Sequence, residues 1–445
     1  STVKIIDGIR AKDKRVTYMR GCDLVHDQLL TSYYDQCSID GRKGMKGTFW
    51  NNQERKGEPV TTKYFDRPVV ANTYGNYPFA PGVNLMGFSA KYETVFRPKQ
   101  SGRVLLSMEG CSYFELFVNG ESMKRERTWR TTPTRTEIDV EAGKEYNIEI
   151  LYAQVENWNA NLKFEIGSES PIDYQDCIRQ LKGIETVVFV GGISPALEGE
   201  EMPVDLPGFR GGDRTDIELP AVQRNFLKAL KEAGKKVVFV NCSGSAMALL
   251  PETETCDAIL QAWYPGEVGG QAVAEALFGD INPSGKLPVT FYAKTEDLPD
   301  YRSYDMKGRT YRYTDKALFP FGFGLSYTTF ETSILSTTST LSTNSKDSKV
   351  KVQVTNTGTR SGTEVVQLYV RRNADSEGPR RSLKGFQRVT LKPGESREVE
   401  FVLDDETFEC FDPATNTMQP LPGEYTLYVG TSSADKDLKT ISVKR

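Results

Sequence analysis

The chain has 445 residues and one histidine, His26, set in Cys22-Asp-Leu-Val-His-Asp27. With a single imidazole and no nucleophile-like serine near it, a Ser-His-Asp hydrolase and a multi-histidine metal centre are both set aside, and His26 reads as a structural or surface residue. The seven cysteines, at 22, 37, 111, 177, 242, 256 and 410, are odd in number and contain no C-x-x-C pair. Neither a zinc site nor a disulfide framework is expected from them. No apolar run reaches the ~18 residues of a membrane span, and no charged-then-apolar leader opens the chain, so neither a span nor a signal peptide is expected. An excess of one charge is missing too: 56 Lys and Arg stand against 60 Asp and Glu, a net charge of -4. Nothing in that balance calls for nucleic acid or a membrane surface as partner.

What is present is ordinary globular material, 38% hydrophobic and 11% aromatic, with a mean hydropathy of -0.47. A chain of this length is expected to hold about two to four domains. Between Met45 and Gly167 the apolar residues alternate with period two, as in Phe88-Ser-Ala-Lys-Tyr-Glu-Thr-Val-Phe96 and Tyr113-Phe-Glu-Leu-Phe-Val118, with turns such as Asn119-Gly120 between them. That pattern predicts an all-β sandwich over 45–167.

Helix and strand patterns alternate from Asp173 to about Ala293. Strands are expected at 186–191, 236–241, 258–263 and 287–292, and helices near 172–182, 220–233 and 267–278, which together make an α/β region with a mostly parallel sheet. Residues 1–44 carry short alternating segments, Val3-Lys-Ile-Ile6 and Arg15-Val-Thr-Tyr-Met19. These are expected to join that same sheet, so the α/β domain spans 1–44 and 168–300 with the β module inserted. After a polar, aromatic-rich linker at 301–330, period-two segments at 349–354, 364–370, 397–402 and 424–429 predict a second, smaller β-sandwich over 331–445.

The loop at 197–220, LEGEEMPVDLPGFRGGDRTDIELP, follows the buried strand Thr186-Val-Val-Phe-Val-Gly-Gly192 and precedes a helix opening after Leu219-Pro220. Ligands of open α/β sheets bind at the carboxyl ends of strands, where this loop lies. It brings Glu198, Glu200 and Glu201 within four residues, followed by Asp213-Arg214. Crowded carboxylates repel, so one of them can keep a proton and act as a general acid; an acidic, solvated surface loop is the plain alternative. Trp263 and Tyr264 also end a strand, and aromatic rings cover the apolar faces of sugars as readily as they fill cores. Asn241-Cys-Ser-Gly-Ser245 either lines the same pocket or makes a simple strand-to-helix turn. In the β module, Trp50, Trp129 and Trp158 either border an entrance or pack.

Pro283-Ser-Gly-Lys-Leu-Pro-Val-Thr-Phe291, Arg309-Thr-Tyr-Arg-Tyr313, the segment Phe319 to Phe330, Ala262-Trp-Tyr-Pro-Gly-Glu-Val-Gly-Gly270 and Gly211-Gly-Asp-Arg-Thr215 together resemble the carboxyl-terminal part of glycoside hydrolase family 3. The segment from Gly47 to Gly120 is similar to the protective-antigen-type module that some members carry inserted in the α/β domain. The resemblance implies an α/β sandwich domain interrupted by a β-sandwich, followed by a fibronectin type III-like domain. It implies a retaining, exo-acting β-glycosidase, with a β-xylosidase favoured and a β-glucosidase close behind.

In that family a nucleophilic aspartate on an amino-terminal barrel works with an acid/base glutamate on the α/β domain. No barrel is recognisable here, so the chain alone is expected to be inactive and the barrel is its implied partner. The xylosidase-like spacing maps the acid/base onto Glu200, with Glu198 and Glu201 as alternates; Asp213, Arg214, Trp263 and Tyr264 are the candidate substrate-binding residues, with Arg214 also expected to orient the loop. The turn Glu109-Gly110-Cys111 replaces the adjacent aspartates of calcium-binding relatives, so no metal and no cofactor are implied. An oligosaccharide substrate, a secreted or periplasmic location and a homodimer fit the resemblance. The competing readings are a non-catalytic carbohydrate-binding module and a scaffold fragment of a larger enzyme.

Overall fold

The computed structural model describes residues 2–155, 160–199, 202, 204–338 and 348–445. Two compact units emerge, His26–Asp173 and the combination of Ser1–Val25 with Tyr174–Arg445.

In the larger unit, Thr186–Gly192, Lys236–Cys242 and Ala258–Gln261 form a parallel sheet in that order, with Val187 beside Val237 and Val240 beside Leu260. Val237, Phe239 and Val240 of the middle strand are buried, as a covered parallel strand requires, whereas Val188 and Val190 leave one face of Thr186–Gly192 exposed, where the apolar run led to the expectation of two covered faces. The helix Ala221–Glu232 starts where Pro220 occupies the N-cap, and its Val222, Phe226, Leu227 and Leu230 are buried. Phe226 meets Phe189 edge-on at 5.8 Å, and Phe189 lies 5.7 Å from Phe239, so one aromatic row joins helix to sheet. The carboxylate of Glu252, on the helix Leu250–Thr255, is fully buried and receives Arg224 Nε at 2.7 Å and Nη2 at 3.2 Å. A buried charge needs such a partner.

Three expected parts of this sheet are absent among the described residues: 3–6, 15–19, which forms no strand, and 287–292. Val3–Ile6 is not a strand: Ile5–Lys12 is a helix with Gly8 and Ile9 buried. It packs against the helix Gly269–Phe278 through facing glycines, since a Cβ at Gly8 would sit 2.1 Å from Gly270 O. Residues 287–292 also fail to join the sheet. Pro288 carries no N–H for a ladder, and the segment pairs instead with 318–323, through Leu287 N to Phe323 O at 2.8 Å and Phe291 N to Phe319 O at 3.0 Å.

The second unit is a hydrogen-bonded antiparallel system of eleven strands around one buried cluster. Its longest pair, Gly102–Val118 with Glu121–Val140, turns at Asn119 (φ 51°) and Gly120 (φ 83°). Both central residues take positive φ, as the hairpin turn matching strand twist requires. The unit begins earlier than the 45–167 expected from period alone. Gln28–Ser32 pairs antiparallel with 167–171, and Cys37–Ile39 pairs with the strand Ser89–Phe96, so these residues leave the parallel sheet for this one.

Among the described residues the tail is a sandwich of two sheets, with the hairpin Glu409–Asp412 and Thr417–Pro420 beside them. A three-stranded sheet of Phe330–Thr337, Lys349–Asn356 and Ser396–Val402 faces a four-stranded sheet of Ser382–Leu391, Gly362–Arg372, Glu424–Gly430 and Leu438–Lys444. Their inward residues, Val352, Val366, Leu368, Leu427 and Val429 among them, form one core.

Candidate active site

The three parallel strands end side by side at Gly192, Cys242 and Gln261. Asn241, fully buried, donates from Nδ2 to Gln261 Oε1 at 2.6 Å and to Ser243 Oγ at 3.3 Å, and Gln261 Nε2 donates to Ser243 at 3.0 Å. Gln223 reaches back from its helix to the first strand end. Its Nε2 donates to Gly192 O at 2.7 Å, and its Oε1 accepts from Gly192 N at 2.7 Å. A polar floor is thus built where an apolar sheet stops.

Three loops rise from this floor. The first turns at Ser194, whose carbonyl accepts Leu197 N at 2.8 Å, and presents Glu198. From the second comes Gly244, where an added Cβ would lie 2.6 Å from the Tyr264 ring and 3.0 Å from Glu198 Oε1. The third carries Trp263 and Tyr264. Trp263 stands at φ 56°, a left-handed conformation costly for a large side chain. Its ring meets Phe291 edge-on at 6.2 Å, while the next ring, Tyr264, sends its hydroxyl to Glu198 Oε1 at 2.5 Å.

The rest of the first loop is a small antiparallel flap, Asp205–Leu206, Phe209–Arg210 and Asp213–Arg214. It packs on the glutamate turn so closely that a Cβ at Gly212 would lie 1.7 Å from Gly199 O. Phe209 is buried beneath it. Arg214 Nη1 donates to Ser245 Oγ and Ala246 O, each at 3.0 Å, while its buried Nε and Nη2 find no hydrogen-bond partner among the described residues. The far end of the loop is pinned by Glu218, which accepts Arg224 Nη1 at 3.0 Å and Thr295 N at 3.0 Å.

The electrostatics follow from burial. Desolvation pulls Arg214 below the ordinary arginine value, opposed chiefly by the nearby Glu198. Burial first, and then the hydrogen bond to Glu198, push the Tyr264 phenol up, so it stays protonated as a donor across the working pH range.

Of the residues singled out from sequence, Glu198, Arg214, Tyr264 and the Asn241–Ser245 turn converge at the strand ends, with Trp263 beside them. Asp213 does not join them; it is exposed on the flap. Glu200 and Glu201 lie outside the described residues, as does Trp158. In the second unit Trp129 is exposed and Trp50 is half-buried, its Nε1 donating to Gly57 O at 3.1 Å. His26 is exposed. Gln261 was missed; an amide ending the run Ala258-Ile-Leu was its signal. The arrangement offers a carboxylate held by a phenol and bordered by a guanidinium, above a polar floor. Such a set can donate and accept a proton at a bound oxygen.

Residues 3–327 match the model of the glycosyl hydrolase family 3 C-terminal domain, and residues 364–433 that of a fibronectin type III-like domain. A xylan 1,4-beta-xylosidase of Xylanibacter ruminicola is 52% identical over 444 residues, covering 99% of this chain and 51% of that protein. A periplasmic beta-glucosidase of Salmonella typhimurium is 38% identical over 275 residues, 58% of this chain and 34% of that one. Among solved structures, the beta-glucosidase of Kluyveromyces marxianus in complex with glucose superposes with a TM-score of 0.74 at 25% identity, covering all of this chain and 56% of that one. The chain thus spans about half the length of the xylosidase and of the solved glucosidase.

Proposed function

Because the chain belongs to glycosyl hydrolase family 3, we propose that it is the portion of a retaining, exo-acting β-glycosidase that supplies the acid/base carboxylate. The observation that carries this is the hydrogen bond from Tyr264 to Glu198 at the carboxyl ends of the sheet, beside Arg214. Glu198 is the one of the three glutamates among the described residues and is taken as the acid/base, in place of Glu200, which the family resemblance favoured.

In the reaction Glu198 gives its proton to the departing glycosidic oxygen. As a carboxylate it then takes a proton from the water that attacks the glycosyl-enzyme intermediate. Retention requires a nucleophilic carboxylate about 5–5.5 Å away. That nucleophile is assigned to an amino-terminal barrel, an assignment supported by relatives about twice this length. Trp263 offers a ring face to a sugar, and Arg214 fixes the loop against Ser245 and Ala246 rather than pairing with the acid.

A β-xyloside is the favoured substrate, on the strength of the relative at 52% identity named as a xylosidase. A β-glucoside is the second reading, supported by the two relatives named as glucosidases. The relative named periplasmic supports export. The test is Glu198→Gln in the chain joined to the amino-terminal portion its relatives carry, assayed on a nitrophenyl xyloside and on one with a poorer alkyl leaving group. Turnover should fall about 10²–10⁴-fold on the poor leaving group, the usual worth of general acid catalysis, and much less on the activated one. If Glu200→Gln shows that pattern and Glu198→Gln does not, the acid/base is Glu200.

A further inference from the structure

We infer that Tyr264 is a positioning residue for the acid/base carboxylate, acting through Glu198 rather than on the sugar. The inference rests on the reading of Glu198 given above. Among the described residues, Tyr264 is the side chain that donates to this carboxylate, at 2.5 Å to Oε1, and Oε2 receives no hydrogen bond from them. One oxygen is thereby held and the other left to meet a leaving group. A glutamate on a loop has three free torsions, and a hydrogen bond to a fixed donor removes most of that freedom.

Three further observations set Tyr264 up for this task. Its phenol is pushed above its ordinary value, first by burial and then by the bond to Glu198, so the donor keeps its proton. Gly244 leaves the space that both partners occupy, since any Cβ there would press on the ring and the carboxylate together. Trp263 takes a left-handed backbone just before Tyr264, and the two neighbouring rings make separate contacts, one with Phe291 and one with Glu198. Unusual backbone held beside a candidate catalytic group is a recurrent mark of function. A ring that merely stacked on a sugar would need none of these three.

The test is Tyr264→Phe in the same full-length protein, with 3-fluorotyrosine at 264 as the variant that restores the hydroxyl. The expected result is a 10- to 100-fold fall in kcat on the poor leaving group with KM unchanged, a loss under threefold on the nitrophenyl xyloside, and recovery with fluorotyrosine. An equal fall on both substrates, a rise in KM alone, or no change would overturn the inference. Glu198→Gln, run in parallel, separates the two levels. If it shows the leaving-group dependence and Tyr264→Phe does not, only the positioning role fails; if it shows none, both fail together.

Discussion

The two ends of one parallel sheet are made of opposite materials. At the amino ends two charged side chains tie neighbouring stretches of backbone together. Lys235 Nζ donates to Leu181 O at 2.9 Å and Ile184 O at 2.6 Å, and Asp257 accepts Val237 N at 2.8 Å. At the carboxyl ends Asn241, Ser243, Gln261, Arg214, Glu198 and Tyr264 gather, and three buried polar atoms, Arg214 Nε, Arg214 Nη2 and Asn241 Oδ1, lack hydrogen-bond partners among the described residues. Burying polar groups without partners costs free energy. One end ties the fold; the other holds groups in readiness at the expense of stability.

Substitutions at the two ends should therefore fail in different ways. Among substitutions of residues with no proposed role in proton transfer, Gly244→Ala should have the largest effect, because its Cβ displaces Tyr264 and Glu198 together. Misplacement of about 1 Å costs on the order of 10²-fold in turnover. Steady-state assay of the full-length protein should show that loss with the melting temperature nearly unchanged. At the other end, Lys235→Met leaves two carbonyls without their charged donor and should remove about 1–3 kcal/mol of stability by urea denaturation, with kcat intact.

The smallest effect belongs to Asp257→Asn. The backbone N–H of Val237 and the nearby Lys231 hold the Asp257 carboxyl below its ordinary value. Its contribution is thus complete above that ordinary value, near pH 4, and is lost as pH falls toward the lowered one. The variant should melt slightly lower at neutral pH, and the gap should close as the solution is acidified below pH 4. Should Lys235→Met or Asp257→Asn abolish turnover while Gly244→Ala unfolds the protein, the contrast between the ends would be broken.

Much of this sheet was legible in the sequence. Val237 and Phe239 sit in a continuous apolar run that reads as a strand and are buried, while the equally apolar run at 186–192 hid the fact that Val188 and Val190 face outward; the helix carrying Val222, Phe226 and Leu230 announced itself by spacing and by Pro220. Val3–Ile6 misled because four residues cannot separate alternation from the start of a helix. What decides it is the glycine contact between Gly8 and Gly270, two segments far apart in the chain. The strands Ser382–Leu391 and Leu438–Lys444 were hidden for another reason. Both lie at the edges of their sheet, where lysine and arginine interrupt the apolar period.

At the site, Glu198, Arg214, Tyr264 and the turn at 241–245 could be read from composition and strand-end position. Their geometry could not. Nothing local says that Tyr264 bonds Glu198 across 66 positions, or that Asp213, next to Arg214, faces solvent.

The claim that Glu198 is the proton donor is tested most directly by azide rescue. Glu198→Ala in the full-length protein, given dinitrophenyl β-xyloside and sodium azide, should regain turnover and release β-xylosyl azide, because azide attacks the glycosyl-enzyme intermediate without needing a base. Rescue and the β-azide from Glu200→Ala, with none from Glu198→Ala, would contradict it.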